Sequence, residues 1–257
     1  MACARMGAPP ANKARRDPNR KEEEMTRNLK ALGLALAAVF AMSAVSAAGA
    51  QATVAHFTGG SEPTYLTAET DPGANPHHIF NTEFGEWNCD MFEAEGQAAA
   101  TGTTATFTNI EEWGTTGDTG GPCEAFGLEM ELNFNSCHYT FHAGTWNGTD
   151  ATGTRDIQCT NAGDEIEVIV AGGGLCDVTI PPQNGINNIT YTNAKTGNFE
   201  EVTIHTTSNN IEYEGHGLFC EEEAFSNGEY EGTATIKGYS DAAHTTQTDV
   251  TVQSSNT

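Results

Sequence analysis

Two glutamates, Glu129 and Glu131, are spaced in this sequence like a catalytic carboxylate pair. Residues two apart in a β-strand share a face, with Cα atoms about 6.6 Å apart. Carboxyl groups held at such a distance can serve as the acid and the nucleophile or base of glycoside hydrolysis. Any half-exposed strand gives the same spacing, and glutamate is frequent here. We therefore expect a solvated surface pair and predict no catalytic residue.

Two tryptophans, Trp113 and Trp146, lie beside turn glycines rather than within alternating apolar runs. A tryptophan on an exposed loop can stack its apolar face on a sugar ring or on a partner side chain. The alternative is that both rings cap the ends of the core. Together with Glu129 and Glu131, they are the candidate ligand-binding residues, and they keep open a carbohydrate-active enzyme or a carbohydrate-binding module.

The sequence contains few patterns that are typical of a metal site. His138 and His142 lie on a probable strand, where residues four apart are separated by about 13 Å and cannot share one ion. The sequence contains no C-x-x-C pair, no G-x-S-x-G elbow and no phosphate-binding loop. Acid-rich turns at residues 150–156 and 221–223 leave calcium as the one open possibility, either as a ligand or in a calcium-dependent adhesion domain. No other cofactor is predicted.

Six cysteines follow residue 50, an even number that leaves no unpaired thiol. Six cysteines allow fifteen pairings, and sequence alone does not choose among them. We expect sequential pairing, because neighbours in a meander are also neighbours in space. Each bridge would stabilise the fold by about 3 to 4 kcal/mol through restriction of the unfolded chain. The six residues are Cys89, Cys123, Cys137, Cys159, Cys176 and Cys220.

Residues 25–50 are typical of a secretory signal peptide: a short positive stretch, an apolar run over residues 31–44, and an A-x-A cleavage signal that ends at Ala50. The apolar run is shorter than the ~20 residues that span a bilayer. We therefore expect a secreted or extracellular protein with no membrane span after cleavage, whose cysteines oxidise. The basic residues 1–24 are either an extended n-region or, as we favour, the product of a start site placed upstream of Met25.

The chain after Ala50 is strongly acidic. Eight of the eleven basic residues and four of the 35 acidic ones precede Gln51, which leaves three against 31 and a formal net charge of −28. Such a surface repels nucleic-acid phosphates and anionic membranes. The partners that we expect are therefore an extracellular glycan or a component of the cell envelope, and not nucleic acid.

The elements that carry these residues are strands. Apolar and polar residues alternate in many short runs, such as residues 128–134 and 86–91, and glycine-rich turns separate the runs. This pattern predicts an all-β fold: an antiparallel β-sandwich or barrel-like meander of roughly ten to twelve strands, stapled by disulfides. We expect a single domain over residues 51–244 and a polar tail over residues 245–257.

Three cysteine- or threonine-rich segments, read together with the alanine-rich leader, resemble a functionally uncharacterised group of exported proteins from high-GC bacteria. They are Pro122-Cys-Glu-Ala-Phe-Gly, Asn135-Ser-Cys-His-Tyr-Thr-Phe and Asn188-Ile-Thr-Tyr-Thr-Asn. The resemblance covers most of residues 55–240, implies a secreted β fold and supplies no residue roles. The sequence thus favours a non-enzymatic module with a structural, adhesive or ligand-binding role.

Overall fold

A computed structural model describes residues 53–70, 78–113, 123–220 and 222–254, with the backbone alone at Trp113. The predicted signal peptide and the residues before it lie outside these ranges. The described residues form 18 strands, and every pairing between them is antiparallel. No helix in the described ranges is long and apolar enough to cross a membrane. The all-β prediction is confirmed, although the strand count is higher than the ten to twelve expected.

Eight strands pair in a closed ring that we call the first tier. The order is β2, β5, β7, β10, β11, β14, β15, β16 and back to β2. Their bounds are β2 (Thr64–Thr70), β5 (Met91–Ala98), β7 (Thr104–Trp113), β10 (Cys137–Trp146), β11 (Asp150–Cys159), β14 (Gln183–Thr196), β15 (Phe199–His216) and β16 (Ala224–Tyr239).

A second ring, the second tier, continues the first. It joins β3, β4, β8, β9, β12 and β13 to the remaining parts of β15 and β16. The new strands are β3 (His78–Thr82), β4 (Gly85–Cys89), β8 (Cys123–Ala125), β9 (Leu128–Asn133), β12 (Ile166–Val170) and β13 (Asp177–Ile180). Each of them adjoins in sequence one strand of the first tier. We call the level where they meet the seam, and these interruptions explain the extra strands.

Bulges bend the long strands near the seam. Asn109 in β7, Asn188 in β14 and Asn210 in β15 have φ values of 48°, 61° and 58°. Each lies at a shift in strand register. Asparagine tolerates this left-handed conformation better than most residues, and the extra residue of a bulge increases strand twist and curvature. The bulges therefore help two tiers to close on the same strands.

The first tier packs large rings against small neighbours. Tyr191, Phe107 and Phe141 are buried among inward-facing alanines of several strands. Gly153 has no side chain, and a Cβ atom there would overlap the His142 carbonyl oxygen and the Tyr191 ring. Large and small side chains thus alternate on the inward faces, which lets them pack closely inside a closed sheet.

A ribbon of two strands packs against the first tier at the end away from the seam. β1 (Thr53–Gly59) pairs with β18 (Val250–Ser254) and with β6 (Thr101–Gly102), while β17 (Gln247–Thr248) pairs with β16. The Phe57 ring meets the Tyr191 ring edge-on at 5.3 Å. Val250 and Val252 are buried. Residues 247–254 therefore belong to the folded domain rather than to the polar tail predicted from residue 245.

The three disulfides follow the sequential pairing, which confirms that prediction. Cys89–Cys123 links the ends of β4 and β8 at the seam, and Cys137–Cys159 joins directly opposed residues of β10 and β11. Cys176–Cys220 links the β12–β13 and β15–β16 loops. Three bridges indicate that the chain matures in an oxidising environment.

Candidate functional sites

Four hairpin turns meet at the end of the second tier that faces away from the seam. We call this surface the rim, and its described residues are 83–84, 126–128, 171–176, 217–220 and 222–223. The Leu218 amide donates to the Gly174 carbonyl at 3.3 Å, and the Phe219 amide donates to the Leu175 carbonyl at 2.8 Å. The Cys176–Cys220 bridge fixes the same two turns covalently. These two turns of the rim therefore form one connected surface.

The rim exposes apolar side chains. Leu218 is 82% exposed, Phe219 77%, Phe126 51% and Leu128 42%. Among the described residues, the only other large apolar side chain with comparable exposure is Val54, on β1. Clustered exposed apolar groups mark interaction sites more often than scattered ones do.

The outside of the second tier carries no Lys or Arg among its described residues. The three basic residues after Ala50 are Arg155, which is buried, and Lys195 and Lys237, which lie on the first-tier strands β14 and β16. Exposed carboxylates, including those of Glu83 and Glu223, lie on the rim itself. An apolar surface within a negative field suits a partner that is both apolar and cationic.

The structure separates the candidate residues identified from sequence. Glu129 and Glu131 are exposed on the outer face of β9 in the second tier, while half-buried Trp146 ends β10 at the far end of the first tier. Nine residues of strand, roughly 30 Å, separate Trp146 from the seam. Trp113 ends β7, and its side chain lies outside the described residues. The described side chains of the set therefore do not share one groove.

A different set of carboxylates lies together on the outside of the first tier. Glu69, Glu93 and Glu111 are direct cross-strand partners on β2, β5 and β7, a spacing of about 5 Å between Cβ atoms. They line a surface groove of about 500 Å³ with Tyr239. Tyr65 stands directly opposite Tyr239 and lines an adjoining groove of about 460 Å³.

The interior of the seam holds a polar cluster around Arg155. The guanidinium carbon lies 4.5 Å from the centre of the Tyr230 ring and 4.9 Å from that of Tyr139. His78 Nδ1 and the Tyr230 hydroxyl form a hydrogen bond of 2.6 Å. Glu112 projects into the same space from β7. Together with apolar neighbours, these side chains line a cavity of about 40 Å³.

Burial dominates the electrostatics of the cluster. It raises the pKa of Glu112 to about 7, although the Arg155 guanidinium opposes the rise. Burial also raises the pKa of Tyr139 and of Tyr230, again against the effect of Arg155. The tyrosines are therefore neutral at physiological pH, and Glu112 is the acid of the cluster that titrates near neutrality.

Metal ligands do not gather in the described part of the chain: no group of three or more His, Cys, Asp or Glu is placed there to hold an ion. Of the acid-rich turns considered for calcium, residue 221 lies outside the described residues. Calcium binding stays a prediction from the sequence.

Sequence reasoning missed the seam cluster, although one signal for Arg155 was present. Arg155 is in phase with Ala151 and Ile157, which predicts an inward side chain if the strand is continuous. Glu112 gives no such signal, because the bulge at Asn109 changes the face on which the following residues lie. Leu218 and Phe219 are adjacent apolar residues next to Gly217, a visible but weak sign of an exposed loop.

Comparison with known proteins gives no match to a family model, a curated protein or a solved structure.

Proposed function

We propose that this chain is a secreted, non-enzymatic binding module that attaches by its rim to a cationic, apolar polypeptide segment of the cell envelope. The observation that carries the proposal is the exposure of two apolar pairs, Phe126 with Leu128 and Leu218 with Phe219, on two turns at the same end of an otherwise acidic domain. The disulfide between the two rim loops that carry Cys176 and Cys220 supports a preformed surface. Preformed surfaces lose less conformational entropy on binding than flexible ones.

The two parts of this surface have separate roles. Burial of two large apolar side chains contributes about 1.5 to 3 kcal/mol each, which supplies affinity. The carboxylates around the rim attract a positive partner and repel a negative one, which supplies selectivity and speed of association. A partner that lacks either property should bind poorly.

Three synthetic peptides test this proposal by surface plasmon resonance with the oxidised protein. One alternates Lys with Leu, the second Lys with Ser, and the third Glu with Leu. We expect measurable binding of the Lys/Leu peptide alone. The double variant Leu218→Ser with Phe219→Ser should weaken that binding at least about tenfold. Both side chains are largely exposed, so the variant should fold normally.

Val54→Ser is the matched control, because Val54 is 52% exposed but lies on β1, away from the rim. It should leave binding of the Lys/Leu peptide unchanged. Equal binding of the Lys/Ser peptide would show that binding depends on the charge of the peptide alone. Equal loss in the Val54 variant would show that the rim has no special role, and either result overturns the proposal.

A carbohydrate-binding role is the second candidate, and the first-tier groove now favours it. Tyr65 and Tyr239 face each other across β2 and β16, beside the row formed by Glu69, Glu93 and Glu111. Tyrosine rings can stack on sugars while carboxylates accept hydrogen bonds from hydroxyl groups. A glycan array should give a signal that Tyr239→Ala removes and that Glu129→Gln, on the other tier, retains. Silence across polysaccharide classes would remove this candidate.

A further inference from the structure

Arg155 places a permanent positive charge inside the seam. Its side chain is 97% buried, since only 3% of its surface is accessible, and arginine does not lose its proton in proteins. Removal of such a charge from water is unfavourable unless other groups compensate. Contacts with the faces of Tyr139 and Tyr230 compensate in part. The Arg155 Nε atom has no hydrogen-bond partner.

The cavity beside Arg155 has room for a small ligand. The cavity of about 40 Å³ is lined by Arg155 and Glu112, with apolar walls that include Val168 and Ile211. One water requires about 10 to 15 Å³ of such space, so the cavity has room for a few waters or one small anion. A second cavity, of about 20 Å³, lies against Arg155 and Tyr230 on the side of Phe92 and Ile204. Neither has room for a sugar or a peptide side chain.

Glu112 is the carboxylate that lines the larger cavity. No carboxylate in the described ranges lies within ion-pair distance of Arg155. The other titratable groups that face this space are Tyr139 from β10, Tyr230 from β16 and His78 from β3, and His78 is hydrogen-bonded to Tyr230. When Glu112 takes up a proton, none of these groups supplies a negative charge to Arg155.

We propose that this cavity is a binding site for one small monovalent anion, of the size of chloride or formate, which replaces the Glu112 carboxylate as the counter-charge of Arg155. The anion would lie beside the unpartnered Nε atom, and the protonated Glu112 carboxyl group can donate a hydrogen bond to it. Ionised Glu112 repels the anion at short range. This site is separate from the rim and from the outer groove.

Chloride binding to the oxidised protein, followed by ³⁵Cl NMR line broadening at constant ionic strength, tests the proposal. Because burial raises the pKa of Glu112 to about 7, we expect the dissociation constant to be about 30-fold larger at pH 8.5 than at pH 5.5. Glu112→Gln should bind chloride with less than about twofold change between the two pH values. Glu129→Gln, an exposed control, should keep the wild-type pH dependence.

Arg155→Met should abolish the chloride effect, and bromide soaked into crystals of the wild-type protein should give an anomalous peak beside Arg155. Broadening that persists in a folded Arg155→Met protein would overturn the site. Equal chloride binding at both pH values in the wild type would overturn the exchange with Glu112. If Arg155→Met does not fold, the Glu112→Gln comparison and the bromide position decide the matter.

Discussion

The first tier is built from strands of up to 18 residues, whereas those that belong only to the second tier have three to six. Short strands form few ladder hydrogen bonds and bury little apolar surface. Cys89–Cys123 and Cys176–Cys220 each link two turns or strands of the second tier, and Cys137–Cys159 lies at the seam. The comparison teaches that close packing stabilises one end of this domain, while covalent links stabilise the end that carries the rim.

Removal of a second-tier disulfide is the strongest way to break this comparison. The double variant Cys89→Ser with Cys123→Ser releases a constraint over a sequence separation of 34. The free energy of unfolding should fall by about 3 to 4 kcal/mol. Hydrogen exchange should show lost protection in β9 and β12, while β14 keeps its protection. Equal loss in both tiers would contradict a separate role for the covalent links.

The seam should give the next largest effect, through Glu112. Burial raises the pKa of this carboxyl group from 4.5 to about 7, so the folded protein binds a proton that the unfolded chain has released. The stabilisation that comes from this proton uptake is fully present below pH 4.5 and is lost as the pH rises to about 7. The free energy of unfolding should fall by up to about 3 kcal/mol over this range. Glu112→Gln should remove this slope in urea unfolding without chloride, and Glu129→Gln should not.

Close packing of the first tier predicts a cost of about 2 kcal/mol for Gly153→Ala, because the added Cβ atom overlaps the His142 carbonyl oxygen and the Tyr191 ring. Gly102→Ala is the control: its Cβ atom would meet Ala99 at an ordinary 3.4 Å. The midpoint of urea unfolding should fall for the first variant and stay nearly constant for the second. Equal effects of the two substitutions would contradict the close packing that we infer for this tier.

The smallest effect concerns the outer face of the first tier. Lys237 pairs with Glu69 there, and this hydrogen bond raises the pKa of Lys237. Lys237→Met should lower the free energy of unfolding by about 0.5 kcal/mol in low salt, and by less in 0.5 M NaCl. Lys195→Met, which changes the charge equally at an exposed position, should show a smaller loss. Stabilisation by Lys237→Met would contradict this assignment.

The sequence predicts which faces of the strands point inward better than it predicts how the sheet closes into rings. Alternation correctly indicates inward Met130 in β9 and inward Val178 in β13, because these strands have one wet face. β13 ends at Ile180, directly before Pro181 and Pro182, but these prolines do not indicate that the chain there passes from the second tier into β14 of the first. Closure depends on bulges and on pairing between distant segments, neither of which leaves a local pattern.

The candidate sites were harder to predict, for reasons that particular residues illustrate. Glu129 and Glu131 resemble a carboxylate pair because any wet strand face produces that spacing, and both are exposed. The cross-strand row of Glu69, Glu93 and Glu111 is invisible in sequence, because its members are joined by register rather than by spacing. Alternation along β11 places Arg155 on the inward face, whereas its charge alone would predict an exposed position.

Pairing of β1 with β18 brings Ala55 and Ser254 side by side, at the end of the domain opposite the rim. A linker attached at either of these strands would thus leave from the same place. A domain anchored there would extend lengthwise, with Leu218 and Phe219 at the tip farthest from its support.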